Sequence, residues 1–286
     1  MIKRILLIGL TFIFSLSIGC SYRSALSKAD WETEGFEHYE YHYQQTIQLS
    51  GRDIEEIGDR LEYFYDFASD VWGFGDDRKI TYYYFTSRDE VKRLAGIDMN
   101  GKVILEENIV LSIHGSDAHE VAHIFTTPTE RPLRLANFWM EGIAMYYTWP
   151  KLYCSEGEER LYERPLGAWH GCSVHQNAKK LLEEKKLPKL ESLIYGNEDF
   201  GYLDSDISYP AAGSYVTFLI GEAHSDLESV TKYREFINKA NKADSTESVK
   251  SIFLEVFDTK FENTIIGWKE FLSGWDEEKL YEVKLK

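Results

Sequence analysis

The chain is short of positive charge, of cysteine and of long apolar runs, and each shortage removes a class of function. Its 32 lysines and arginines are outnumbered by 48 aspartates and glutamates, giving a formal charge of −16. Such a balance repels nucleic-acid phosphates and anionic lipid headgroups alike, and so argues against nucleic-acid binding and electrostatic adsorption to a membrane. The opening apolar run, from Ile5 to Gly19, has about 15 residues where a comfortable membrane span needs roughly 20. No internal repeat and no low-complexity linker interrupts the second half of the chain. There are three cysteines, Cys20, Cys154 and Cys172.

The apolar run follows the basic head Met1-Ile2-Lys3-Arg4, which makes it a secretory signal over residues 1–19. Ser17-Ile18-Gly19-Cys20 resembles a bacterial lipobox, although Ser17 stands where leucine is usual and Leu16 lies one place earlier. The resemblance implies that Cys20 is lipidated and becomes the mature N-terminus, anchoring the protein outside the cytoplasm at the cell envelope or surface. The alternatives are an uncleaved signal anchor and plain secretion. Ser21 rather than aspartate follows Cys20, so the inner-membrane retention signal of diderm lipoproteins is absent. Residues 20–33 then form a polar tether. Outside the cytoplasm Cys154 and Cys172 can pair, closing a loop that would contribute roughly 3 kcal/mol, or can stay as buried thiols. A second zinc site from Cys154, His170, Cys172 and His175 has poor spacing.

What the chain does contain is Ser116-Asp117-Ala118-His119-Glu120-Val121-Ala122-His123-Ile124-Phe125, a His-Glu-x-x-His stretch. On an α-helix, residues four apart share a face one turn apart, so His119 and His123 turn both imidazoles toward one point. Two ring nitrogens so placed reach one zinc ion at about 2.0 to 2.1 Å, with Glu120 about 100° round the helix beside the open position. That is an arrangement for metal-assisted hydrolysis. An amphipathic helix with two surface histidines would show the same spacing, and a second stretch decides between them. In Phe138-Trp139-Met140-Glu141-Gly142-Ile143-Ala144-Met145-Tyr146 a carboxylate sits within an apolar helical pattern. Burying it is costly unless it meets a cation.

His-Glu-x-x-His followed by Glu-Gly-x-Ala resembles the gluzincins, the thermolysin-like clan also called peptidase MA. The resemblance implies one zinc ion per chain held by His119, His123 and Glu141, with Glu120 as catalytic acid/base. Seventeen residues separate His123 from Glu141, one or two fewer than in the best-known gluzincins. It further implies an α+β fold: a small N-terminal β-sheet lobe with the zinc-binding helix over 34–130, and a mainly helical lobe with the third ligand over 131–286. Many gluzincins carry another acid about one turn after the third ligand, where this chain has Met145. Asp117 is then either a helix N-terminal acid, the simpler role, or a partner that orients a ligand imidazole.

The pattern along the chain fits that fold. Residues 34–50 alternate aromatic and polar side chains, as a strand burying Phe36, Tyr39, Tyr41 and Tyr43 and leaving His38 and His42 at the surface. A helix with Ile54, Ile57, Leu61, Phe64 and Ala68 on one stripe follows, then a strand over 79–85 and a short helix between Ser87 and Gly96. Asn100-Gly101 signals a turn, with strands at 103–105 and 108–113 forming a hairpin. By resemblance, the strand Ile109–Ile113 is the sheet edge along which an extended peptide lies. The second half reads as helices over 177–185, 190–194, 211–223, 227–240, 246–257 and 261–272. The segment from Tyr209 to Leu219 resembles the tyrosine-bearing helix that follows the zinc site in the clan.

The expected function is therefore a lipid-anchored zinc peptidase acting on peptide or protein substrates, an endopeptidase rather than an aminopeptidase. The Gly-x-Met-Glu-Asn segment of gluzincin aminopeptidases is absent; only Glu106-Glu107-Asn108 remains. Tyr209 is the first choice for stabilising the oxyanion, with Tyr215 and Tyr202 next. The rival is a surface lipoprotein that binds a protein or glycan partner without catalysis.

Overall fold

The computed structural model describes residues 26–27, 29–72, 78–128, 130–148, 151–153, 159–161, 168–169, 172–196, 200–201, 203–220 and 227–276. The expected signal, Cys20, Cys154, His170 and Tyr202 lie outside them. Among the described residues no helix is long and apolar enough to cross a membrane. The fold is mixed α+β, and Cα packing divides the chain into two compact units, Met1–Phe67 with Gly75–Ile124 and Ala68–Phe74 with Phe125–Lys286.

The first unit is built on a five-stranded sheet of order β1-β2-β3-β5-β4: β1 (Trp31–Gly35), β2 (Tyr39–Gln44), β3 (Ile80–Tyr84), β4 (Gly101–Ile104) and β5 (Ile109–Ser112). The pairs β1/β2 and β4/β5 are antiparallel, and β2/β3 and β3/β5 are parallel. Helix α1 (Gly51–Trp72) makes the crossover from β2 to β3, and α2 (Arg88–Ala95) lies between β3 and β4 in the chain. The ends of α2 follow from its sequence: the Ser87 side chain accepts from the Glu90 N–H, and Gly96 closes the helix at φ 73°. Its inner face, Val91, Leu94 and Ala95, packs with Phe85, Leu111 and Leu26. On the opposite parity of the strands, Tyr39, Tyr41 and Tyr82 are fully buried, with Tyr39 edge-on to Tyr65 of α1 and Tyr41 stacked on Tyr82.

Several expectations change here. Residues 34–50 are not one strand, because the chain turns between Gly35 and Tyr39, and Phe36 is only half-buried in that turn. The switch of parity between Phe36 and Tyr39 marks the turn. His38 is not a free surface residue: its ring stacks on Tyr65, its Nδ1 lies 2.6 Å from Glu62 Oε2, and its N–H donates to Glu62 Oε1. His42 is likewise half-buried, stacked on Tyr83. The β4/β5 hairpin exists, but it turns at Leu105–Glu107 and Asn108, where φ is 51°, while Asn100-Gly101 merely begins β4. Among the described strands the edges are β1 and β4, and β5 lies inside between β3 and β4. Packing also begins before Glu34, since Leu26 is buried and Trp31 starts β1.

The second unit is mainly helical: α4 (Asn137–Tyr146), α5 (Val174–Glu183), α6 (Ser205–Ile220), α7 (Leu227–Ala240), α8 (Thr246–Phe257) and α9 (Phe261–Gly274), with short two-stranded ribbons Lys151–Tyr153/Glu159–Leu161 and Ala168–Trp169/Cys172–Ser173. Trp139, Tyr215, Tyr233, Phe236, Phe253 and Trp268 form its core, all fully buried. Helix α6 starts six residues before the expected Ala211 and runs through Pro210, which has no N–H to offer the preceding turn. His175 is buried with Nδ1 2.8 Å from Ser214 Oγ, which also accepts from Trp268 Nε1, so this histidine belongs to the core. Cys172 is exposed and has no disulfide partner among the described residues, its expected partner Cys154 lying outside them.

Candidate metal centre

Helix α3 (Ala118–Thr126) carries the His-Glu-x-x-His residues. Its start is specified by polar bonds from the sheet. Ser112, the last residue of β5, donates to Asp117 Oδ2 at 2.6 Å, and Asp117 Oδ1 accepts the N–H of Glu120 at 3.3 Å. Asp117 is thus the helix N-terminal acid, satisfying one of the donors that a helix start leaves over. The loop before it is pinned by two buried tyrosines, with the Tyr82 hydroxyl donating to the His114 carbonyl at 2.6 Å and the Tyr41 hydroxyl to the Gly115 carbonyl at 3.0 Å. Burial raises the pKa of both phenols, reinforced at Tyr82 by the charge of Asp117 and at Tyr41 by the neighbouring Tyr84 and Tyr43, so both remain protonated donors. Val121, Ala122, Ile124 and Phe125 bury the other face of the helix. His119, Glu120 and His123 stay half-buried on the open one. His114 is exposed, and nothing brings it into the group.

Helix α4 supplies the third residue. Phe138, Trp139, Ile143, Ala144 and Met145 are buried around a half-buried Glu141. Gly142 is required by close packing: a Cβ there would meet Val216 Cγ2 at 2.5 Å and the Ala212 carbonyl oxygen at 2.9 Å. Gly213 on α6 answers it, since a Cβ there would meet Met145 Cβ at 2.7 Å. Met145, in the place where an acid was looked for, is therefore a packing residue. The approach to α4 is held by Asn241, whose Oδ1 accepts the N–H groups of Arg134 and Leu135 at 2.7 and 3.0 Å and whose Nδ2 donates to the Glu130 carbonyl. Nothing in the local sequence around Glu141 signals this bond, because Asn241 is about a hundred residues away.

Among the described residues, His119, His123 and Glu141 form a group that can hold a metal ion: one donor atom from each lies within 4.8 Å of the others. The two imidazoles are 4.9 Å apart between ring centroids and perpendicular, as expected for side chains one turn apart converging on a shared point. Two imidazoles and a carboxylate form a borderline-hard donor set suited to a divalent first-row ion. The other residues expected in catalysis divide. Tyr215 is fully buried, and its hydroxyl lies 2.5 Å from Thr264 Oγ1, so it is a core residue and not an oxyanion donor. Tyr209 is half-buried on α6 with its ring against Phe200.

No protein-family model matches the chain, and no curated protein matches it either.

Proposed function

We propose that the protein is a zinc-dependent peptidase of gluzincin type, with a thermolysin-like layout, lipid-anchored through Cys20 outside the cytoplasm. The observation that carries this reading is the convergence of His119 and His123, from a His-Glu-x-x-His helix, with Glu141 from a later helix. Two imidazoles and one carboxylate, each with a donor atom within 4.8 Å of the others, are a donor set that would suit zinc, held by His119, His123 and Glu141. When bound there, zinc supplies Lewis acidity, lowering the pKa of a water toward about 7 and polarising a substrate carbonyl.

The chain's own residues do the rest. Glu120 accepts the proton of the attacking water and delivers it to the leaving amine, so its carboxylate must face both in turn. Tyr209 donates to the carbonyl oxygen as negative charge develops on it. Among the described residues β4 has a neighbour on one side only, so its other side could take an extended peptide as a further strand, which gives affinity without demanding particular side chains. The role first assigned to β5 passes to β4 because β5 is paired on both sides.

The test is digestion of a peptide library by the zinc-loaded protein with and without a chelator, beside Glu120→Gln. Cleavage abolished by the chelator, with turnover lowered about 10² to 10⁴-fold in Glu120→Gln at unchanged metal content, is the expected result. Bound zinc with no cleavage of any peptide would favour a partner-binding lipoprotein, and an active Glu120→Gln would remove the acid/base assignment.

A further inference from the structure

We propose that Gly101, the first residue of the edge strand, is a positioning residue for the Glu120 carboxylate: the side chain missing at 101 is the space that the acid/base occupies. The proposal rests on the peptidase reading for its kinetic consequence and on geometry for the rest. A Cβ on Gly101 would meet Glu120 Oε1 at 2.5 Å, Cγ at 2.9 Å and Cδ at 3.0 Å, three atoms of one side chain. Nothing in the backbone demands glycine here, because Gly96 and Gly196 have positive φ and Gly101 does not. An L residue fits its conformation. Room for Glu120 is what remains as the reason for glycine.

The strand register gives the contact its meaning. Gly101 and Ser112 are direct partners across β4 and β5. Ser112 donates to Asp117, and Asp117 accepts the N–H of Glu120. The backbone of Glu120 is thus tied to one member of the pair, and its carboxylate lies on the other. Both ends of the acid/base residue are referred to the same rung of the sheet. A methyl group at 101 collides with the side chain while the backbone tie stays in place, so the carboxylate turns to another rotamer. The metal-holding histidines, one residue before and three after, keep their own contacts.

The test is Gly101→Ala, read in three ways beside the control Gly51→Ala, where an added Cβ meets nothing within 4 Å. A crystal structure of Gly101→Ala should show the Glu120 carboxylate moved by about 1 Å or more, a displacement that costs up to about 100-fold in turnover. Kinetics should show that loss in kcat, with KM and zinc content as in the wild type. Thermal unfolding completes a cycle: Gly101→Ala should lower Tm in the wild-type background and not in the Glu120→Ala background, which removes the collision. Gly101→Ala accommodated with Glu120 in its original place, or a loss of Tm equal in both backgrounds, overturns the proposal. Failure of the peptidase reading looks different: the wild type cleaves nothing, while displacement and Tm coupling persist.

Discussion

The two helices that carry the candidate donor side chains differ in what fixes them most tightly. Helix α3 is set by directional bonds at its start, with Asp117 on the Glu120 N–H and two tyrosine hydroxyls on the carbonyls of His114 and Gly115. Helix α4 has no side-chain cap at Ala136; beside the Asn241 bonds to the backbone that leads into it, it is set by shape, Gly142 against Val216 and Ala212, Gly213 against Met145. The difference teaches which kind of damage each tolerates. A lost hydrogen bond near the surface is replaced by water at a cost of about 1 kcal/mol. An added methyl in a contact already at van der Waals limits has no such remedy.

The sharpest way to break the comparison is therefore on the packed side. Gly142→Val should destabilise the protein by about 1 to 3 kcal/mol and weaken metal binding by tilting Glu141, read as a fall in Tm and in zinc affinity. A Gly142→Val protein with both unchanged would mean that α4 is not located by packing.

A smaller effect is expected on the bonded side. Tyr82→Phe removes the donor to the His114 carbonyl and should cost about 1 kcal/mol. The same phenol sharpens the comparison through pH. Burial first, and the Asp117 charge second, raise its folded pKa well above the ordinary tyrosine value of about 10. Above pH about 10 the unfolded chain loses this proton and the folded one keeps it, so the stability present below that pH falls as pH rises. Unfolding free energy measured between pH 9 and 11 should fall less steeply in Tyr82→Phe than in the wild type. Equal slopes would mean that Tyr82 is not a buried, protonated donor.

The parts of the site that were legible in the sequence are those whose cause is local. His119 and His123 are one turn apart on any helix, Ser87 and Gly96 bound a helix through their own caps, and the helix Thr246–Phe257 keeps one period throughout. The carboxylate of Glu141 was legible because an acid within Trp139, Ile143 and Ala144 needs a partner. What stayed hidden depends on distant contacts. Gly101 reads as half of an Asn-Gly turn until the sheet brings Glu120 over it, and the edge role given to β5 by resemblance fails because the sheet pairs β5 on both sides. Tyr41 and Tyr82 read simply as buried strand aromatics, since nothing near them in the chain reveals the carbonyls that their hydroxyls meet. Tyr215 was a reasonable oxyanion donor by position and is excluded only by Thr264, nearly fifty residues on.

We propose that side chains from α3 and α4 hold one divalent ion together. Calorimetric titration of the chelator-treated protein with zinc tests it most directly, run beside Glu141→Ala and His123→Ala. One ion per chain in the wild type, with affinity at least about tenfold weaker in each variant, a loss of 1.4 kcal/mol or more, is the result this account predicts. Zinc bound equally well by Glu141→Ala and the wild type, or not bound by the wild type at all, would contradict it.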